Sequence, residues 1–228
     1  MESKVILITG ASAGIGLATA HVLMDKGMKV YAASRRGGEN TKSTVNKMGE
    51  IIHVEMDVNN EENIQSVINQ IITDDKKLDV VICNAGNGIA GSVEDCSSDE
   101  VKYQFETNFF GAVKTIQTCL PIFRSQGYGK ILATSSVAAI VPIPFQAFYS
   151  SGKAALLVFM QALSMELKPY GIQCCTILPG DTKTEFTAAR TYTIASQNSN
   201  SAYAATMKKS ISKMEKDEEN GVPPLKVA

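Results

Sequence analysis

The sequence predicts an α/β fold, a doubly wound parallel sheet with helices on both of its faces. Short apolar runs of strand length alternate with longer amphipathic runs along the whole chain. A glycine-rich turn also joins the first strand to the first helix. The 228 residues show no repeat, low-complexity tract or linker, so we expect a single domain over residues 1–228.

The apolar runs define the strands and the amphipathic runs define the helices. Strands are expected at Val5–Ile8, Lys29–Ser34, Glu50–Glu55, Asp79–Cys83, Lys130–Ser135 and Ile172–Leu178. Helices are expected at Gly14–Lys26, Asn40–Met48, Glu61–Asp74, Ser98–Arg124, Phe148–Pro169 and Tyr203–Glu219. Gly27 closes the first helix, and Pro121 is expected to end or bend the fourth. The stretch Lys208–Glu219 is interpreted as a solvated helical face.

The turn after the first strand reads Thr9-Gly10-x3-Gly14-Ile15-Gly16. Glycines there let the backbone approach a pyrophosphate, whose negative charge is favoured at the N-terminus of the following helix. The spacing differs from the general G-x-G-x-x-G dinucleotide pattern. A tight turn with nothing bound is the alternative interpretation.

The second predicted strand ends in Ser34-Arg35-Arg36, and the first acidic residue after it is Glu39. NAD-binding folds usually place a carboxylate near this point to hold the ribose 2′-hydroxyl. Two guanidinium groups would instead bind the 2′-phosphate of NADP. The sequence therefore predicts NADP(H) in preference to NAD(H). Solvated surface arginines are the alternative.

Tyr149 and Lys153 lie four residues apart in a predicted helix and so share one face. An ammonium there favours phenolate, so Lys153 is expected to lower the pKa of Tyr149. Such a pair can exchange a proton with an alcohol or ketone. Ser136 follows a strand thirteen positions before Tyr149, and its neighbour Ser135 leaves the choice between the two serines to that spacing.

These residues resemble the short-chain dehydrogenase/reductase family, from the N-terminus to about residue 186. The matching motifs are the glycine turn, Asp57-Val58, Asn84-Ala85-Gly86, Asn108, Ser136, Tyr149-x3-Lys153 and Pro179-Gly180-x3-Thr184. The resemblance implies a Rossmann-like sheet of strand order 3-2-1-4-5-6 and hydride transfer between a nicotinamide and a carbinol or carbonyl carbon. Many NADP-preferring members carry a basic residue where Ala13 stands, so Arg35 and Arg36 must supply the preference.

The resemblance also implies the role of each residue. Tyr149 would be the general acid or base, Lys153 its partner on the nicotinamide ribose, and Ser136 the hydrogen-bond donor to the substrate oxygen. Asn108 would hold a water that links Lys153 to solvent. The expected cofactor-binding residues are Gly10, Ser12, Ile15, Gly16, Ser34, Arg35, Arg36, Asp57, Val58, Asn84, Ala85, Gly86, Tyr149, Lys153, Pro179, Gly180, Thr182 and Thr184.

Two of these roles have plainer alternatives. Asn108 could be a helix residue that bonds locally, and Asp57 could cap the helix that begins near Asn60.

The substrate pocket is expected to be mostly apolar, with Ala138 and Phe145 beside Ser136 and Tyr149. Such a cleft suits a small hydrophobic alcohol or ketone substrate. Residues 84–91 and 108–111 most resemble the hydroxysteroid and retinol dehydrogenase branch. The leading hypothesis is an NADP(H)-dependent hydroxysteroid dehydrogenase of lipid metabolism. A general carbonyl or 3-oxoacyl reductase is the alternative enzyme, and an NADP-binding regulator is the non-enzymatic one.

Composition narrows the possible partners and location. A net charge of −1 offers no basic stripe for nucleic acid, and no apolar run is long enough to span a membrane. Five cysteines without zinc spacing are typical of a reducing cytoplasm, and two isolated histidines predict no metal site. By family resemblance, a homodimer or homotetramer is expected through residues 98–124 and 148–169.

Residues 182–219 correspond to the flap that covers the substrate in the family. Family members usually run further, through another helix and a seventh strand, so that strand is expected to be missing here. A shortened chain and a naturally short variant both remain open.

Overall fold

The computed structural model describes residues 3–36, 44–46, 48–198 and 201–228. Its strands are β1 Val5–Thr9, β2 Lys29–Ser34, β3 Thr44–Val45, β4 Glu50–Glu55, β5 Val80–Cys83, β6 Ile89–Ala90, β7 Gly129–Thr134, β8 Ile172–Ile177 and β9 Thr191–Tyr192. Its α-helices are α1 Gly14–Asp25, α2 Glu61–Asp75, α3 Ser98–Phe105, α4 Gly111–Gln126, α5 Ala147–Leu167, α6 Phe186–Ala189 and α7 Ala204–Glu219.

The main sheet has the order β3-β4-β2-β1-β5-β7-β8, and all strands except β3 run parallel to their neighbours. The six predicted strands are β1, β2, β4, β5, β7 and β8, so the predicted order 3-2-1-4-5-6 is confirmed. The seventh strand of the sheet is β3, which was not predicted. In the described part of the chain, no strand pairs with the outer edge of β8.

The short strand β3 replaces part of the helix predicted at Asn40–Met48, which is wrong over residues 44–46. The Asn46 side chain explains the difference, because its Oδ1 accepts hydrogen bonds from the amides of Met48 and Gly49, both at 2.8 Å. This asparagine turn folds β3 back antiparallel onto β4. Residues 40–43 and 47 lie outside the described residues.

The core is divided by the sheet into two apolar layers. Alternate residues of β1 point to opposite faces, so Leu7 joins the layer under α2, α4 and α5 while Ile8 joins the layer under α1. Side chains such as Ile68 and Phe123 fill the first layer and are fully buried. Helices therefore cover both faces of the sheet, as predicted.

The predicted helix Ser98–Arg124 is divided into α3, a π-helical segment at Glu106–Phe110, and α4. Pro121 lies inside α4, which continues to Gln126, so this proline does not end the helix. The interruption falls instead at the wide turn that contains Asn108. Single π turns of this kind are frequent at functional sites.

The described residues of the segment 182–219, which are 182–198 and 201–219, form a layer over the carboxyl end of the sheet. Strand β9 pairs with β6 in a two-stranded ribbon, and α7 packs Met207 and Ile211 against Ala90 and Phe145. After α7, Val222 forms an isolated bridge with Thr182.

The Thr9 hydroxyl joins the ends of β1 and β5. Its Oγ1 accepts hydrogen bonds from the backbone amides of Asn84 and Ala85, both at 3.0 Å, and the side chain is buried. Because β1 and β5 are parallel neighbours, this contact fixes the glycine turn relative to the chain that leaves β5.

We predict that Thr9→Val destabilises the fold, because it keeps the side-chain shape but leaves two amides without an acceptor. The free energy of unfolding should fall by about 2–6 kcal/mol, at about 1–3 kcal/mol for each of the two unsatisfied amides. Thr9→Ser keeps the hydroxyl and should cost only about 1 kcal/mol for the lost methyl. Equal losses for both variants in urea unfolding would show that the hydroxyl does not hold this junction.

Candidate active site

The predicted site residues gather at one edge of the sheet. Strands β1, β5, β7 and β8 are parallel, so their carboxyl ends and the loops that follow them open on the same side. The glycine turn follows β1, Asn84-Ala85-Gly86 follows β5, Ser136 follows β7, and Pro179-Gly180 follows β8.

The glycine turn is a close-packed backbone crossing. Gly10 has a φ of +66°, and a Cβ there would lie 2.7 Å from Ala85 Cα. A Cβ on Gly16 would lie 2.5 Å from Gly10 O, so only glycine fits either position.

The N-terminus of α1 is open to an anion. Its N-cap is Ala13, which makes no side-chain hydrogen bond, and the first turn contains no acidic residue. The amides of Ile15 and Gly16 in that turn are therefore available to phosphate oxygens. This part of the chain fits the pyrophosphate of a dinucleotide.

The end of β2 lies beside this turn. The Ala11 amide donates to Ala33 O at 3.0 Å, and Arg36 Nη2 donates to Ser12 Oγ at 3.3 Å across the gap. Ser34 is buried at the strand end, while Arg35 is exposed. Ser12 and the two arginines thus form an exposed basic corner beside the turn.

Asp57 and Val58 follow β4 at the same edge. Asp57 Oδ1 accepts from the Asn59 amide at 2.9 Å, which makes a local turn. The cap of α2 is Asn60, whose side chain accepts from the Asn63 amide, so the alternative that Asp57 caps this helix is wrong.

The Asn84 side chain links three strand ends. Its Nδ2 donates to the carbonyls of Thr9 and Gly10, both at 3.1 Å, and its Oδ1 accepts from Thr134 Oγ1 at 3.3 Å. Lys153 Nζ in turn donates to Thr134 O at 2.8 Å. One polar network therefore runs from the glycine turn to Lys153.

Asn108 is buried and bonded to a distant loop. Its Oδ1 accepts from the Asn87 amide and its Nδ2 donates to Asn87 O, both at 2.8 Å. The alternative that Asn108 bonds locally in its helix is therefore wrong. A Cβ on Gly86 would lie 3.1 Å from Asn108 Oδ1 and 3.6 Å from Lys153 Nζ, so these three residues meet.

The two serines after β7 have different environments. Ser135 is buried and its hydroxyl donates to Lys153 O at 2.8 Å, which ties β7 to α5. The Ser136 hydroxyl accepts from the Ala138 amide at 3.1 Å and also forms a hydrogen bond with Tyr149. The serine beside the tyrosine is thus the one that the thirteen-residue spacing selected.

Tyr149 titrates in the direction opposite to the expected one. Burial raises its pKa above 10; the hydrogen bond with Ser136 opposes this shift, Glu218 adds to it and Arg190 opposes it. Burial also lowers the pKa of Lys153 to about 8, and its Nζ lies 5.8 Å from the Tyr149 ring centroid. Lys153 is not among the groups that shift the pKa of Tyr149, so the expected lowering of that pKa by Lys153 is not found in this structure.

The loop after β8 contacts both the turn that follows Ser136 and the glycine turn. Pro179 O accepts from the Val137 amide at 3.0 Å, and Thr182 Oγ1 donates to Gly180 O at 3.0 Å. Thr184 reaches the glycine turn, where a Cβ on Gly14 would lie 3.3 Å from it.

The two residues predicted to line the substrate pocket, Ala138 and Phe145, have different surroundings. Ala138 is buried beneath the turn that follows Ser136. Phe145 packs against α7 with a φ of +63°, an unusual conformation for a bulky residue.

Comparison with known proteins agrees with this geometry. The family model for short chain dehydrogenases matches residues 4–195. A 3-ketodihydrosphingosine reductase of Bacteroides thetaiotaomicron is 38% identical over 100% of this chain and 81% of its own length. The chain belongs to the short-chain dehydrogenase/reductase family.

Two further similarities show the breadth of the family. Human 17-beta-hydroxysteroid dehydrogenase type 1 is 31% identical over 82% of this chain and 59% of its own length. The solved structure of a short-chain dehydrogenase from Streptomyces avermitilis has a TM-score of 0.82 at 26% identity, covering 99% of this chain and 82% of that one. This short-chain dehydrogenase/reductase is thus an oxidoreductase of a family that acts on CH–OH groups and binds nicotinamide cofactors.

Three residues near the site were missed from the sequence. Gln104 is fully buried; its Oε1 accepts from the Ile89 amide and its Nε2 donates to Asn87 O. Arg190 Nη2 donates to Glu218 Oε1 at 2.5 Å, 28 residues along the chain. The interpretation of Lys208–Glu219 as a solvated face is therefore wrong at Glu218, and no local pattern signals any of the three.

Two negative observations apply to the described residues. No group of three or more His, Cys, Asp or Glu side chains there is placed to hold a metal ion. No helix among these residues is both long enough and apolar enough to cross a bilayer.

We predict that the buried Lys153 makes the stability of this enzyme depend on pH. An unfolded lysine titrates near 10.4, so between about pH 8 and 10 the unfolded chain binds more protons than the folded one. The cost of burying the ammonium is fully present below about pH 8 and disappears as the pH rises. The free energy of unfolding of the wild type should therefore rise by roughly 3 kcal/mol relative to Lys153→Met over that window. A difference independent of pH in urea unfolding would contradict the desolvated lysine.

Proposed function

We propose that this enzyme is an NADP(H)-dependent reductase that interconverts a hydrophobic ketone and its secondary alcohol. The observation that supports this most strongly is the meeting of Ser136, Tyr149 and Lys153 at the sheet edge that also carries the open N-terminus of α1. A proton donor and a dinucleotide cradle on one edge are what this reaction requires.

The reductive direction needs Tyr149 in its protonated form. A phenol that stays protonated near neutral pH can deliver a proton to a carbonyl oxygen as negative charge develops on it. Ser136, already hydrogen-bonded to the phenol, would hold the same oxygen. The reduced nicotinamide, when bound, supplies the hydride that reaches the carbonyl carbon, so that hydride and proton together give the alcohol.

Lys153 and Asn108 complete the catalytic set. With a pKa of about 8, Lys153 can pass a proton toward Tyr149, and its contact with Thr134 O fixes its position. Asn108 holds the Asn87 loop beside Gly86 and, in this proposal, orders a water next to Lys153.

The preference for NADP(H) rests on the corner formed by Ser12, Arg35 and Arg36. No acidic residue stands between the end of β2 and Arg36, and Arg36 already reaches across to Ser12. A 2′-phosphate placed there would gain charge-assisted hydrogen bonds, whereas a 2′-hydroxyl would gain little.

For the substrate we favour a long-chain ketone of the 3-ketodihydrosphingosine type. The similarity to the Bacteroides reductase extends over the whole chain, including the covering layer at 182–219. In that layer Met207 and Ile211 pack against Ala90 and Phe145, and Ile140 and Val141 are exposed in the loop after Ser136. A keto-steroid is the second candidate, supported by the human relative. Both substrates belong to lipid metabolism.

The remaining expectations form part of the same proposal. Residues 1–228 act as one catalytic domain in the cytoplasm, with 182–219 as the flap over the substrate. Exposed Phe110 beside α4, and exposed Val158 and Met165 on α5, support a homodimer or homotetramer through these helices. Light scattering that gave only monomer at micromolar concentration would refute the assembly.

We predict that Tyr149→Phe lowers turnover by about 10²–10⁴-fold, because the ring remains and the proton donor is lost. Affinity for NADPH, measured by its fluorescence, should stay within about twofold of the wild type, since the phenol is only one of many expected cofactor contacts. Tyr192→Phe is the matched control, because that phenol donates to Glu215 in the covering layer. Unchanged turnover in Tyr149→Phe would exclude this residue as the acid.

We predict that Arg36→Ala weakens NADPH binding by roughly 10–100-fold, the effect of one charge-assisted hydrogen bond, and spares NADH. Arg124→Ala, an exposed arginine on α4, is the matched control and should change neither affinity. Equal weakening of both cofactors by Arg36→Ala would contradict a 2′-phosphate contact.

A further inference from the structure

Unpartnered hydrogen-bond donors are concentrated in residues around the β6–β9 ribbon. Six buried side-chain polar atoms lack a partner within the described residues, and five of them belong to Asn87, Gln146, Arg190 and Thr193. The five are Asn87 Nδ2, Gln146 Nε2, Arg190 Nε, Arg190 Nη1 and Thr193 Oγ1. Buried donors are normally satisfied, so such a concentration calls for a bound acceptor.

The β6–β9 ribbon brings these residues together. A Cβ on Gly88, next to Asn87, would lie 3.9 Å from Arg190 Cγ. One on Gly91 would lie 2.5 Å from Thr193 Oγ1, and the Gly91 amide donates to Phe145 O, beside Gln146. The four residues therefore surround one short stretch of the ribbon.

The same cluster adjoins the reacting groups. The Phe186 ring lies 5.8 Å from the Tyr149 ring between centroids, and the Arg190 guanidinium carbon lies 5.9 Å from the Phe186 ring centroid. The charges of Arg190 and Glu218 also act on the Tyr149 phenol. Phe186 contacts both Tyr149 and Arg190, so one aromatic ring links the cluster to the reacting phenol.

Arg190 is fixed before any ligand arrives. Its side chain is 0% exposed, and Nη2 is taken by Glu218, whose other carboxylate oxygen accepts from Thr187 Oγ1 at 2.7 Å. Nη1 lies 3.8 Å from Glu215, too far for a hydrogen bond. The guanidinium is thus held in place with Nε and Nη1 still free to donate.

The charge balance decides which acceptor fits. One guanidinium faces two carboxylates, Glu215 and Glu218, so the surroundings carry an excess negative charge. Glu218 and Asp217 also raise the pKa of nearby Asp181, after burial as the larger cause. A carboxylate or phosphate would be repelled, whereas a neutral hydroxyl or carbonyl oxygen would only accept hydrogen bonds.

We propose that Asn87, Gln146, Arg190 and Thr193 form a polar subsite that binds a neutral hydroxyl or carbonyl oxygen next to the reacting ketone. The subsite rests on the proposed function, because it assigns the substrate class of the same site. It adds a polar group to the mostly apolar cleft that the sequence predicts, and it favours hydroxyketones over plain ketones of equal length.

The test compares matched ligands bound to the enzyme saturated with NADP⁺, which cannot reduce them. The hydroxyketones 1-hydroxy-2-undecanone and 1-hydroxy-3-undecanone are titrated against 2-undecanone and 3-undecanone by calorimetry. We expect at least one hydroxyketone to bind about tenfold tighter than its parent. The anionic 2-oxoundecanoate should bind no tighter than 2-undecanone.

Two variants test the residues and one serves as a control. Thr193→Val removes a hydroxyl at constant shape, and Arg190→Lys keeps a cation for Glu218 but removes Nε. Each should reduce the hydroxyketone preference several-fold, while Thr191→Val, exposed on the same ribbon, should leave it unchanged. If Arg190→Lys fails to fold, the hydroxyketone preference of Thr193→Val alone tests the subsite.

Equal binding of hydroxyketones and plain ketones by the wild type would overturn the subsite, because these donors would then not bind a substrate oxygen. A preference that survives in the variants, or tightest binding of 2-oxoundecanoate, would overturn it as well. Turnover of the same ketones with NADPH tests the proposed function separately. A hydroxyketone preference without turnover contradicts only the reaction, and turnover without the preference contradicts only the subsite.

Discussion

The hydrogen bonds of the Asn84 side chain hold the site of this enzyme together. They connect the glycine turn after β1 to Thr134 at the end of β7, and the Thr134 carbonyl in turn accepts a hydrogen bond from Lys153. Because the glycine turn, Asn84 and Thr134 lie at the ends of three different parallel strands, small shifts between strands would separate them. The cradle for the cofactor and the proton-transfer pair therefore depend on the same few side chains.

Burial controls the chemistry more than the charge of a neighbour does. Tyr149 and Lys153 are both desolvated, which raises the pKa of the phenol and lowers that of the ammonium. Both shifts favour uncharged forms. The covering layer from residue 182 adds Glu218 and Arg190, whose opposite charges oppose one another at Tyr149.

Much of the fold could be predicted because its signals are local. Apolar runs located all six long strands, and motif spacing brought Ser136, Tyr149 and Lys153 to one place. What was missed depends on contacts distant in sequence. The π turn carries Asn108, which bonds to Asn87, and the pairing of Arg190 with Glu218 spans 28 residues. The expected direction of the Tyr149 pKa shift was wrong because burial, its largest cause, depends on the whole fold.

The most direct measurement of the central claim is cofactor oxidation by the purified wild-type chain, with NADPH and NADH in parallel. The panel comprises 3-ketodihydrosphingosine, keto-steroids, quinones and small aliphatic ketones. We expect NADPH to be oxidised with the long-chain ketone or a keto-steroid, and faster than with small ketones or with NADH. Binding of NADPH with no turnover of any member of the panel would contradict the assignment of this site as a ketone reductase.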